Sequence, residues 1–112
     1  MLYNYTIKNV LKVVDGDTID VEVDLGFDIS IKRRVRIFGI DAPETRTRDK
    51  EEKARGKESK KFLKQLIANN KETIYLRSYD VDKYGRVLGE IIIDGTSVGK
   101  TMMAEGHAVE YT

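Results

Sequence analysis

The sequence predicts a small α+β domain that is mainly β: a five-stranded Greek-key barrel of the OB type, with a helix after the third strand and a short helix near the C-terminus. Three observations predict it. Strand-like alternation dominates residues 5–40. One long amphipathic helical pattern follows the third strand-like segment. Two more strand-like segments and a short helical one complete the chain. The 112 residues, 1–112, read as a single domain, large enough for one core without staples.

Taken in order, Tyr5 to Val14 and Thr18 to Leu25 are strand-like and are joined at Asp15-Gly16, a tight-turn dipeptide. Gly26 marks a second turn. Ile29 to Ile40 reads as a long third strand. Its Arg34/Val35/Arg36/Ile37 alternation puts two arginines on one face and the aliphatics on the other. Phe38 and Ile40 break that alternation, as in a strand covered on both sides. Thr45 to Glu52 is an exposed polar loop, and Lys53 to Ala68 a helix with Phe62, Leu63, Leu66 and Ile67 on one stripe, ended by Asn69-Asn70. Thr73 to Tyr79 and Arg86 to Ile93 are two further strands, and Asp94-Gly95 is a turn. Ser97 to Glu105 is a short helix stopped by Gly106. No repeat or low-complexity tract occurs.

Composition narrows the function classes. A 40% hydrophobic fraction fits a soluble globular chain. With no cysteine there is no disulfide framework, no thiolate nucleophile and no thiolate metal site. No apolar run reaches the roughly 18 residues of a membrane span, and no signal-peptide core opens the chain. The expected setting is therefore cytoplasmic, or the chain is the mature part of something longer. The net charge of +1 is too small for a protein that coats nucleic acid without selection. It hides an asymmetry, since Arg46 to Lys64 holds nine Lys and Arg against four acids. That segment reads either as a solvated linker and helix face or as a phosphate-attracting patch beside an acidic pocket.

Four constellations carry chemistry. "DGDT", Asp15 to Thr18, opens like a calcium loop but puts Ile19 and Asp20 where an EF-hand needs a ligand and a glycine, so that motif is excluded. "RIFGIDAPE" places Arg36 five residues before Asp41, with Pro43, the only proline, stiffening the turn to Glu44. Asp17 and Asp41, at the ends of two adjacent strands, could give two carboxylates to a hard cation such as Ca²⁺, with the Ala42 carbonyl as a third oxygen. "DKYGR", Asp82 to Arg86, offers a guanidinium for phosphate and a tyrosine face for a base, or is a solvated hairpin turn. "GHAVEY" holds the single histidine, His107, which reads as structural. Serine and cysteine hydrolases are disfavoured, since no nucleophile has a plausible histidine base.

"DGDT", "RIFGIDAPE" and "DKYGRVLGEI", in that order with a helix between the last two, make the sequence resemble the thermonuclease family of staphylococcal-nuclease-like domains. The resemblance covers about Lys12 to Tyr111. It implies the barrel above and a Ca²⁺-dependent phosphodiesterase that acts on DNA and RNA, cleaves the 5′ P–O bond and leaves 3′-phosphate ends. Residue by residue, it implies Asp17, Asp41 and the Ala42 main-chain carbonyl as metal ligands, and Arg36, Glu44 and Arg86 as the catalytic trio. It further implies Lys83, Tyr84 and Tyr111 as nucleotide contacts. The molecule is expected to act as a monomer. The competing class is a noncatalytic barrel of the same family that binds nucleic acid or protein, a class that typically lacks the acids or arginines retained here. The Thr18–Arg36 hairpin, filled by "DLGFDISIKR", is longer than the family's usual one.

Overall fold

The computed structural model describes residues 2–111. Its elements are β1 (Tyr3–Asp15), β2 (Thr18–Asp24), β3 (Ser30–Ile37), β4 (Ile40–Asp41), α1 (Lys50–Ala68), β5 (Ile74–Val81), β6 (Val87–Ile93), β7 (Thr96–Ser97), α2 (Val98–Ala104) and β8 (Val109–Glu110). The mainly β barrel with a helix after β3 and a short later helix is the predicted architecture. β1 is long enough to serve two neighbours. Residues Thr6 to Asp15 pair with β2, and Tyr3 to Ile7 pair with β5. Register shifts at Ile7/Asn9, Val10/Lys12 and Val13/Asp15 bend it between the two, as bulges do. The barrel closes where β3 runs parallel to β6, with Val35 opposite Val87, Arg36 opposite Leu88 and Ile37 opposite Gly89. Arg86 immediately precedes β6, so closure itself carries Arg86 towards Arg36.

The alternation read in β3 holds. Val35 and Ile37 are at most 1% exposed, while Arg34 and Arg36 lie on the other face. These aliphatics meet Ile19, Val21, Leu76 and Ile91 inside the barrel, and Leu63 of α1 and Met102 of α2 plug it from outside. On the outer surface Asp20 of β2 takes two hydrogen bonds from Arg34, at 2.8 and 3.1 Å. Arg34 holds that carboxyl below its ordinary value.

Three boundaries differ from expectation. The third strand stops at Ile37, because Gly39 turns the chain at φ +84° and Phe38 is exposed rather than covered on both sides. The residues beyond form the separate strand β4, which pairs with β8. Asp41 therefore does not end a barrel strand adjacent to the one that Asp17 precedes. α1 starts at Lys50, not Lys53. Asp49 caps it by accepting from the Glu51 and Glu52 backbone N–H groups at 3.0 and 3.2 Å, with both glutamates at the positive end of the helix dipole. At the far end of the molecule Phe27 is 97% exposed with φ +55°, at the tip of the β2–β3 hairpin.

Candidate active site

Each residue of the DGDT turn does a separate job. Asp15 accepts a 2.6 Å hydrogen bond from the Thr45 hydroxyl, tying the loop after Glu44 to the end of β1. Gly16 has no room for a side chain: a Cβ there would fall on Oγ of Ser59, and 3.0 Å from the Ala42 Cβ. Close approach, not a positive φ, is what requires glycine here, in contrast to Gly39 and Gly85. Asp17 is buried. Its Oδ1 accepts from the Thr18 hydroxyl and its Oδ2 from the Ala42 backbone N–H, both at 2.9 Å. That last bond joins the β1–β2 turn to the residue after Asp41, which is how two carboxylates from unconnected strands converge.

Arg36 stands between them. Its Nη2 lies 3.4 Å from Asp41 Oδ1 and 3.5 Å from Asp17 Oδ2, while Nη1 donates to the Ile37 carbonyl at 2.9 Å. The ring of Tyr111 lies over the guanidinium, 5.9 Å away. Tyr111 is held there because its N–H donates to the Gly39 carbonyl and β8 pairs with β4. Two carboxylates facing one guanidinium leave a net negative charge on hard oxygen donors, which suits a hard cation. Asp17 keeps acceptor capacity after its two hydrogen bonds, because a carboxylate has about four lone-pair sites. Among the described residues no cluster of three or more acidic, histidine or cysteine side chains forms, so main-chain oxygens and water would have to complete any such shell.

Arg86 is positioned by Asp82. The carboxylate accepts from the Arg86 Nε at 2.7 Å and from the Tyr84 and Arg86 backbone N–H groups at 2.9 Å each. Desolvation pushes the Asp82 carboxyl up, but the Arg86 backbone and side chain and the Tyr84 backbone outweigh it, and the net shift is downward. Asp82 is a site residue that the sequence reading left without a role. Its signal was present, since an Asp that opens a turn is a standard acceptor for the backbone N–H groups following it. Tyr84 is largely exposed, with Lys83 Nζ 5.2 Å and Arg86 5.7 Å from its ring centre.

Arg36, Arg86 and Tyr111 line one cleft of about 360 Å³, together with Phe38 and Leu88. Glu44 does not. It lies with Asp41 on a neighbouring cleft of about 480 Å³, lined also by Glu52, Arg55 and His107. Asp41, ion-paired to Arg36 in the first cleft and lining the second, is the hinge between the two. Glu44 is exposed and has no ion-pair partner among the described residues. Its backbone packs closely on Gly56, a glycine that the sequence reading gave no role. A Cβ at Gly56 would sit 2.5 Å from the Glu44 carbonyl oxygen and 2.9 Å from that of Pro43. A glycine in the middle of a helical pattern was the available signal. His107 stacks on Phe62 with ring centres 4.5 Å apart, and its carbonyl accepts from Ser59.

The closed OB-type barrel thus carries two arginines and a pair of carboxylates on its rim. Residues 34–112 match the family described as Staphylococcal nuclease homologue, and the chain belongs to that family. Asp17 precedes the matched span. The chain is 30% identical over 99 residues to the protein named Thermonuclease of Staphylococcus hyicus, covering 88% of this chain and 56% of that one. It is 36% identical over 98 residues to SPbeta prophage-derived endonuclease YokF of Bacillus subtilis (strain 168), covering 87% and 31%. It is 38% identical over 81 residues to Probable staphylococcal-like nuclease CAN1 of Oryza sativa subsp. japonica, covering 72% and 22%. The chain thus spans between about a fifth and three fifths of the length of such relatives.

Proposed function

We propose that this chain is a Ca²⁺-dependent phosphodiesterase that hydrolyses DNA and RNA and leaves 3′-phosphate ends. The observation that carries the reading is the convergence of Asp17, Arg36 and Asp41 beside the cleft that Arg86 shares. The names of the relatives, which are nucleases and endonucleases, support the same class.

In this reading the scissile phosphate sits in the cleft between Arg36 and Arg86. Their planar forks donate to its nonbridging oxygens, which gain negative charge in the five-coordinate transition state and so bind the arginines more tightly there than in the ground state. Glu44, free of any ion pair among the described residues, faces the attacking water from the adjoining cleft and takes its proton or orients it. The new bond is water oxygen to phosphorus; the bond broken is phosphorus to the 5′ oxygen, which takes a proton from solvent and leaves as a hydroxyl. Asp17, Asp41 and the Ala42 carbonyl would hold Ca²⁺, which when bound supplies Lewis-acid charge at the phosphate. Lys83 and Tyr84 contact a neighbouring phosphate and sugar or base, and Tyr111 offers its face to a base from above Arg36.

The test is hydrolysis of an end-labelled single strand with Ca²⁺ and with excess chelator. Cleavage that needs Ca²⁺ and gives 3′-phosphate ends is the expected result. Mg²⁺ should substitute poorly, because it demands tighter octahedral geometry and sheds water reluctantly. Full activity in chelator would overturn the metal assignment. Binding without cleavage under all conditions would identify the noncatalytic class.

A further inference from the structure

All six lysines of α1, Lys50, Lys53, Lys57, Lys60, Lys61 and Lys64, recur at intervals that place them on one flank of the helix, an arc about 100° wide. None of the six is in an ion pair among the described residues. The helix acids Glu51 and Glu58, and Arg55, fall on the opposite flank, and Glu52 lies beside the buried face. The contrast with β3 is direct: there Arg34 is neutralised by Asp20 of β2. Lys60 and Lys64, at the edge of this flank, face β1 across a groove of about 380 Å³, with Ile67 on their side and Leu11, Lys12 and Val13 on the other. Three cations and no acid line it.

The flank is linked to the candidate site through the segment before α1, while the Glu44 cleft itself meets the helix at Glu52 and Arg55, off the lysine flank. Glu44 packs its backbone on Gly56 of the same helix, and exposed Arg46 and Arg48 lie between Glu44 and Lys50. From Lys50 to Lys64 the helix rises about 21 Å, the length of roughly six base pairs, since each strand carries one phosphate per ~3.4 Å of duplex axis. An anionic membrane surface is the rival partner for such a stripe. It is disfavoured because an interfacial helix also needs exposed large apolar residues, and the only aromatic residue of α1, Phe62, is stacked on His107.

We infer that the lysine flank of α1, ending in the groove against Lys12, is a track for the phosphodiester backbone of a nucleic acid beyond the reacting nucleotide. Its role in catalysis rests on the nuclease reading; its binding of polyanion does not. The track tells long substrates from short ones by charge, without reading sequence.

The test compares the protein with Lys57→Gln/Lys60→Gln/Lys64→Gln and with the matching triple Lys→Arg variant. Probes are a dinucleotide, a single strand and a duplex of about 20 nucleotides each, and phosphatidylserine vesicles. Binding is measured without divalent cation across a salt series, and turnover with Ca²⁺. The glutamine variant should bind the duplex about 10-fold more weakly at ~0.1 M salt. Its slope of log K against log salt should flatten by about 2–3, at roughly 0.9 for each phosphate left without its lysine, or about 2 on the single strand. The arginine variant should restore both, and dinucleotide turnover should stay at wild-type level in every protein, which also shows that the fold is intact. Unchanged duplex and single-strand affinity and slopes would overturn the track. So would a loss confined to phosphatidylserine vesicles, which would assign the stripe to membranes. A wild-type protein that hydrolyses neither dinucleotide nor polymer would refute the nuclease reading alone, and the salt slopes would still decide the track.

Discussion

Arg36 holds the two halves of the candidate site together. It touches Asp17 from the first hairpin and Asp41 from β4, and lies under Tyr111 just past β8. A lysine would keep the charge but present a single point in place of a fork. Arg36→Lys and Arg86→Lys should each therefore lower turnover on the order of 10²-fold or more, about 3 kcal/mol, as removal of one oxyanion donor does. Steady-state kinetics on an oligonucleotide decide it, and near wild-type turnover in either variant would show that its fork is not used. Glu44→Gln should cost at least ~10²-fold in turnover with nucleotide affinity largely kept. A loss of affinity with turnover intact would make Glu44 a binding residue. Asp82 gives a pH signature. Its folded pKa is depressed, so the stability it contributes is present above its unfolded value near 3.9 and is lost as pH falls through the lower folded value. Asp82→Asn should lower the thermal midpoint at pH 7 and reduce the further drop between pH 7 and pH 3; an unchanged pH dependence would remove Asp82 from that role.

Among the secondary-structure elements, α1 does two things that helix propensity alone would not reveal. Its N-terminus was readable, because Asp49 followed by Glu52 is the acceptor-and-acid pattern that starts helices, and a start at Lys53 passes over it. Its Gly56 sets the position of the Pro43–Glu44 backbone. On propensity, Gly56→Ala should stabilise the helix by about 1 kcal/mol. The Glu44 carbonyl 2.5 Å from the added methyl reverses that sign, because backbone cannot swing aside as a flexible side chain can. The expected outcome is unchanged helical circular dichroism, a lower thermal midpoint and at least about a 10-fold fall in turnover as Glu44 is displaced. Wild-type turnover in Gly56→Ala would show that the loop does not need this contact. The two-residue strands β4 and β8 were not legible. Such short pairings carry no periodic signal, and the apolar run "IFGI" hid the turn that Gly39 makes at positive φ.

Across the molecule, the strand order and the helix after the third strand were legible because each rests on local pattern. The parallel β3–β6 closure was not, since it pairs segments about fifty residues apart in sequence. That closure gathers Arg36 and Arg86, whereas the hydrogen bond from Ala42 to Asp17 gathers the carboxylates, so the site exists only in the closed barrel. Folding and metal binding should then be linked but separable. Leu63, fully buried where α1 plugs the barrel, makes the separation measurable. Leu63→Ala should cost about 2–5 kcal/mol, a large part of the roughly 5–15 kcal/mol typical of a domain, and lower the thermal midpoint accordingly. If Asp17 and Asp41 hold Ca²⁺ in the folded state only, Ca²⁺ at about 100 times its Kd should return about 2.7 kcal/mol to both wild type and Leu63→Ala. Asp41→Ala should lose that return while keeping its core. Thermal melts of the three proteins with and without Ca²⁺ separate the cases. An equal Ca²⁺ shift in Asp41→Ala would place the ion elsewhere, and no shift in wild type would remove Ca²⁺ from the site altogether.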